Sequence, residues 1–173
     1  YYASRGLGDV YKRQLMLIND GVLHSCLFYP SFQFKKNRSE YYRQLTSVRE
    51  RGTYEEWIEF FCASLLESAK DSVGSLKSLV DLHNRSTAAI TENLGRTAAN
   101  GQRLLSLLEE HPILDTAFIA ARLDIGRSTA SSLVKSFEEL GILRPLDESR
   151  QRYRQYGYEE YLSILREDAE PIR

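Results

Sequence analysis

One stretch constrains this chain more than any other: Ile119-Ala120-Ala121-Arg122-Leu123-Asp124-Ile125-Gly126-Arg127-Ser128-Thr129-Ala130. It reads as the end of one helix, a tight turn at Asp124-Ile125-Gly126, and the start of another. Asp115 stands where a side chain can cap the first of the two, with Phe118, Ile119 and Ala121 facing inward. Leu133, Val134, Phe137 and Leu140 carry the apolar face of the second, and Gly141 terminates it. Small residues around the turn let two helices cross closely.

The neighbouring sequence completes a compact unit after Gly101. Leu104, Leu105, Leu107 and Leu108 make a preceding helix that stops near Pro112. Ile142-Leu143 starts a strand, Asp147-Glu148-Ser149 is a turn, and residues 153–158 return with alternating side chains. A short amphipathic helix closes the unit by Leu165. Three helices followed by a two-stranded ribbon resemble a winged helix-turn-helix over roughly residues 102–165. Early residues of a recognition helix are the ones that reach base edges. On that resemblance Arg127, Ser128, Thr129, Ser131, Ser132 and Lys135 are candidate DNA contacts, and Arg150, Arg152 and Arg154 on the wing are candidate phosphate contacts. Against this, residues 96–173 hold 11 Lys and Arg and 13 Asp and Glu, a net of −2. Affinity for DNA comes largely from neutralising phosphates, so binding requires the basic residues to cluster on one face. Winged helices also serve as protein-contact modules, and a fold does not fix a function. Duplex DNA and a protein partner, including a second copy, stay open here.

Composition narrows the classes. With 42% apolar and 27% charged residues and a net charge of −1, the chain reads as an ordinary globular protein without a global field for nucleic acid or acidic membrane. Cys26 and Cys62 are too few and too far apart for a disulfide framework or a metal knuckle, which fits a cytoplasmic location. His24, His83 and His111 show no ligand spacing, and no apolar run approaches membrane-spanning length.

The N-terminal half reads as helical. Residues 1–14 show no helical period and resemble translated adaptor sequence, a non-native or disordered arm. Leu15 to Ile18 reads as the end of a buried helix closed by Gly21. Residues 22–30 read as loop, and Phe32 and Phe34 as a brief extended stretch. Tyr41, Leu45 and Val48 share a helix face that ends at Gly52. Thr53-Tyr54-Glu55-Glu56 is a capping box, opening a helix with Trp57, Ile58, Phe60, Phe61, Leu65 and Leu66 as its stripe. From 84 to 100 the composition turns to Thr, Ala, Asn and Gly, which marks a connector between a domain at 15–83 and the winged helix at 101–173.

Phe34-Lys35-Lys36-Asn37-Arg38-Ser39-Glu40-Tyr41-Tyr42, flanked by the blocks Leu15–Gly21, Leu27–Ser31 and Glu55–Phe61 in order, resembles the region after the catalytic motif of Fic-family (Fic/DOC) protein adenylyltransferases. The resemblance runs from about Leu15 to Leu82. It implies a truncated, all-helical Fic core joined to a winged helix, hence a mainly α fold. The family transfers AMP from ATP, with magnesium, to hydroxyls of target proteins. It assigns Tyr41, Tyr42 and Leu45 to the adenine wall. The family motif H-x-F-x-x-G-N-G-R-x-x-R does not occur in this sequence. A fragment lacking it is expected to bind no ATP or magnesium and to transfer nothing. The alternative is a transcription regulator with a helical effector or dimerisation domain and a winged-helix reader.

Overall fold

The computed structural model describes residues 15–16, 18–21, 30–147 and 154–167. It is mainly helical with a small antiparallel sheet. The chain divides into two compact units, with the division between Leu76 and Lys77. None of the described helices is long and apolar enough to cross a membrane.

The first unit contains α1 (Pro30–Lys36), α2 (Arg38–Arg51) and the first part of α3 (Tyr54–Asn93). Phe32 and Phe34 lie within α1, not on an extended segment. Two alternating aromatics are too short a pattern to set backbone type. What decides it is Phe34, buried against rings from both following helices. Its centroid lies 5.5 Å from Tyr41 and 5.5 Å from Phe61, the latter stacked. Trp57 extends the layer, edge-on to Tyr41 at 5.5 Å. The buried Gln33 amide donates to Asp71 Oδ2 at 2.5 Å, tying α1 to α3. Gly52 ends α2 in a left-handed conformation, φ 70°, with its N–H on the Val48 carbonyl. The Thr53 hydroxyl, expected in a capping box, donates to Ser47 Oγ at 2.8 Å. Glu55 and Glu56 occupy the first turn of α3, where negative charge suits the helix dipole. Residues 15–16 and 18–19 are helical, but Leu15 and Met16 are exposed where a buried helix end was expected. The arm expected at 1–14 and residues 22–29 of the loop expected at 22–30 lie outside the described residues, while Pro30 opens α1 instead of ending a loop.

The second unit, Lys77–Glu167, holds the main core. It contains the last part of α3, a 3-10 turn (Gly95–Thr97), α4 (Ala98–Glu110), β1 (Ile113–Asp115), α5 (Thr116–Leu123), α6 (Arg127–Glu139), β2 (Arg144–Pro145), β3 (Gln155–Gly157) and α7 (Glu159–Glu167). The sheet order is β1-β3-β2, all antiparallel. The expected ribbon of two strands is therefore a sheet of three. Leu114 opposite Tyr156 brings the third strand in from the segment between α4 and α5.

The stretch at 84–100 is not a bare connector. α3 passes through Gly74 unbroken, and Leu82, Ser86 and Ile90 are buried in the second unit. Gly101 permits the close approach: a Cβ there would stand 2.7 Å from Ile90 Cγ2 and 2.9 Å from Leu94 Cδ2. The glycine that looked like a break in the sequence is a contact point between helices.

Tyr158, almost fully buried, shares a 2.8 Å hydrogen bond with Ser86 Oγ. Burial pushes its phenol above the ordinary value of 10.0, because the phenolate would be stranded away from water, while Ser86 pulls the other way. A folded-state pKa raised above the unfolded one means full stability below about pH 10 and loss as pH rises through the folded value. Tyr158→Phe should cost about 0.5–1.5 kcal/mol at neutral pH for the lost hydrogen bond. It should also make stability fall less steeply in alkali than in the parent. Urea unfolding at neutral and alkaline pH checks both. An unchanged alkaline slope would show that Tyr158 does not titrate on unfolding.

Candidate nucleic-acid interface

The helix-turn-helix geometry is built locally. Asp115, in extended conformation, caps α5 by accepting the Phe118 N–H at 2.7 Å. Replacing it with Ala should cost about 1 kcal/mol of unit stability, read from denaturant midpoints. A cost near zero would mean another acceptor takes over. Asp124 ends α5 in the left-handed region, φ 53°, with its N–H on the Ala120 carbonyl. Ile125 N–H follows onto the same carbonyl at 3.1 Å. Asp tolerates this conformation better than most residues, and it folds the chain back within a three-residue turn. Ile119 and Leu123 of α5 are buried. Phe118 and Ala121, expected inward, are exposed instead. Phe118 packs edge-on to His111 at 5.2 Å, with the Arg122 guanidinium 5.5 Å from its ring centre.

α6 is cleanly two-faced. Ala130, Leu133, Val134 and Phe137 are buried, while Arg127, Ser128, Thr129, Ser131, Ser132 and Lys135 are exposed. From Arg127 to Lys135 the helix carries no acid; Glu138 and Glu139 come only in its last turn. Lys135 Nζ lies 3.8 Å from Glu139, an exposed pair that offsets part of its charge. The N-terminal turns of α6 thus combine one cation, Arg127, and four hydroxyls with the positive end of a helix dipole.

A cleft of about 460 Å³ is lined by Asp115, Thr116, Ala117, Arg127, Ser131, Arg154 and Tyr156. It gathers Arg127 and Ser131 of α6, the first residues of α5, and Arg154 at the edge of β3. Two cationic residues, Arg127 and Arg154, and three hydroxyl residues, Thr116, Ser131 and Tyr156, line the space where a phosphate could sit. The Asp115 carboxylate partly offsets that field. Arg150 and Arg152 lie outside the described residues. Thr116, Asp115 and Tyr156 were not singled out as site residues in the sequence. The cap at Asp115 was legible, but strand pairing alone brings it beside the wing.

Several acids of this region have partners away from α6. Glu160 pairs with Arg85 at 2.6 Å, Glu159 with Arg166 at 3.5 Å, and Glu109 lies 2.6 Å from His83 Nδ1. No group of three His, Cys, Asp or Glu among the described residues could hold a metal ion.

In the first unit, Tyr41 is half-buried in the aromatic layer, against Phe34 and Trp57. Tyr42 is 54% exposed, with Arg38 5.7 Å from its ring centre, and Leu45 is exposed beside it on α2. Tyr41 therefore packs within the aromatic layer, and the Arg38 guanidinium is a cation beside Tyr42.

Residues 97–147 match the IclR helix-turn-helix domain. No curated protein matches the chain. The match spans α4 to β2 and leaves the N-terminal half uncovered. The chain thus carries a winged helix-turn-helix similar to the IclR type.

Proposed function

We propose that this chain is a DNA-binding transcription regulator whose winged helix docks α6 against duplex DNA, consistent with a cytoplasmic location. One observation carries the proposal: the cleft where Arg127, Ser131, Arg154 and the start of α5 converge. The likeness of residues 97–147 to a helix-turn-helix domain agrees with it. Arg127, Ser128, Thr129, Ser131 and Ser132 present donors at the end of the helix that enters a major groove in this class of fold. Arg154, which lines the same cleft, would contact a phosphate alongside. The acid-free stretch from Arg127 to Lys135 answers the objection from net charge, because phosphates respond to the local field within about 8 Å at physiological salt. The adenylyltransferase reading of the N-terminal half, with its ATP, magnesium and protein target, gains no support from Tyr41, Tyr42 or Leu45.

The test is retention of labelled duplex DNA by the full chain at rising salt. The logarithm of the binding constant should fall linearly with the logarithm of salt concentration as counterions are released. No retention at low salt would overturn the proposal.

A further inference from the structure

One side chain crosses between helices to reach the turn that precedes α6. The helical residues of α5 end at Leu123, so the Leu123 carbonyl is among those with no partner further along the helix. The Asp124 and Ile125 N–H groups both go to the Ala120 carbonyl. The Arg103 guanidinium, on α4, donates to the Leu123 carbonyl from Nη2 at 2.7 Å. Its Nη1 donates to Asn100 Oδ1 at 3.2 Å, one turn back on its own helix. One arm of the guanidinium is thus held by α4, and the other holds the end of α5. The bond is charge-assisted, and a cation suits the negative end of a helix dipole.

The segment just after this carbonyl has few other anchors. Asp124 is in the left-handed region, φ 53°, a conformation that persists where the surroundings impose it. Between Asp124 and Thr129, Ile125 packs against the core, while Asp124, Gly126, Arg127, Ser128 and Thr129 are exposed. The buried face of α6 begins at Ala130. The first turn of α6 therefore takes its position from the turn before it and the helix behind it, not from buried side chains of its own.

We infer that Arg103 is a positioning residue for DNA recognition: it fixes the backbone at the α5 end of the turn, and so the placement of Arg127 against the duplex. This rests on the DNA-binding reading. A binding group has to be held within about 0.5 Å of its productive position, so a small backbone shift at the turn is enough to weaken contact. Without the guanidinium, water can reach the Leu123 carbonyl at this exposed turn and replace the lost donor. Stability should then change little while placement loosens. Arg103 acts through Arg127 and makes no phosphate contact of its own.

The test uses the full chain and a labelled duplex that the parent selects from a random-sequence pool, with binding measured over a range of salt. Arg103→Met keeps the side-chain stem and removes its donors. It should weaken binding roughly 3- to 30-fold, as for residues coupled through a backbone shift, with the same salt slope and far-ultraviolet dichroism as the parent. Arg103→Lys, which keeps a cationic donor, should restore most of the affinity. In an Arg127→Ala background the loss from Arg103→Met should shrink to about twofold or less, because the residue it acts through is gone. No loss from Arg103→Met, or equal losses in the two backgrounds, overturns the inference and leaves the DNA-binding reading standing. A salt slope lowered by about one would make Arg103 a phosphate contact and overturn it too. So would a Met variant that loses its helical spectrum, because Arg103 would then hold the whole unit. A parent that binds no duplex overturns both readings.

Discussion

Phe137→Ala should lower the stability of the second unit by about 3–5 kcal/mol. Phe137 is fully buried in the main core, and its ring edge is 3.7 Å from where a Cβ on Gly101 would stand. It thus fills the space between α6 and α4 that the glycine leaves open. Its carbonyl also accepts N–H groups from Ile142 at 2.9 Å and Leu143 at 3.1 Å, fixing the chain as it leaves α6. Removing the ring leaves those backbone bonds but opens a cavity bounded by helix backbone that cannot easily collapse. Domains of this size have only about 5–15 kcal/mol of stability in all, so the variant should be partly unfolded at moderate urea. Far-ultraviolet dichroism is the suitable probe, because the single tryptophan, Trp57, lies in the first unit. A loss below about 1 kcal/mol would mean the core can repack around the gap.

Arg127→Ala should weaken duplex binding by roughly 5- to 150-fold, equivalent to about 1–3 kcal/mol, while leaving the fold intact. Arg127 is the first residue of α6, exposed, and lines the cleft with Ser131 and Arg154. Two outcomes separate its roles. If it contacts a base, weakening should be confined to preferred sequences. If it contacts a phosphate, all sequences should weaken alike and the salt slope should fall by about one. Arg166→Ala is the control, since Arg166 lies on α7 beside Glu159. Equal losses from both variants would point to bulk charge and remove the case for a built interface.

Much of this was legible in the sequence because it is written in local spacing. The two faces of α6 follow from a 3.6-residue period, and the turn at Asp124-Ile125-Gly126 from its residue types. The elements that were not legible depend on distant partners. β1 is three residues long, and pairing with β3 across more than forty positions makes it a strand. The length of α3 was hidden by Gly74 and by the Thr- and Ala-rich residues after His83. Propensity alone predicts a weak helix there, and burial of Leu82 and Ile90 overrides it. The same cause conceals half of the cleft: Arg127 and Ser131 share a helix face, whereas Asp115 and Tyr156 arrive through the sheet.

The burial of Leu82, Ser86 and Ile90 alters what counts as a module. The recognisable helix-turn-helix begins at residue 97, yet the hydroxyl partner of Tyr158 and the apolar wall behind Gly101 come from α3, upstream of that point. A segment excised at the sequence boundary would carry the recognition surface and leave behind part of its own interior. Transplanting this unit onto another protein would therefore require the last turns of α3 as well, and a cut at the sequence boundary would instead pass through one hydrophobic core.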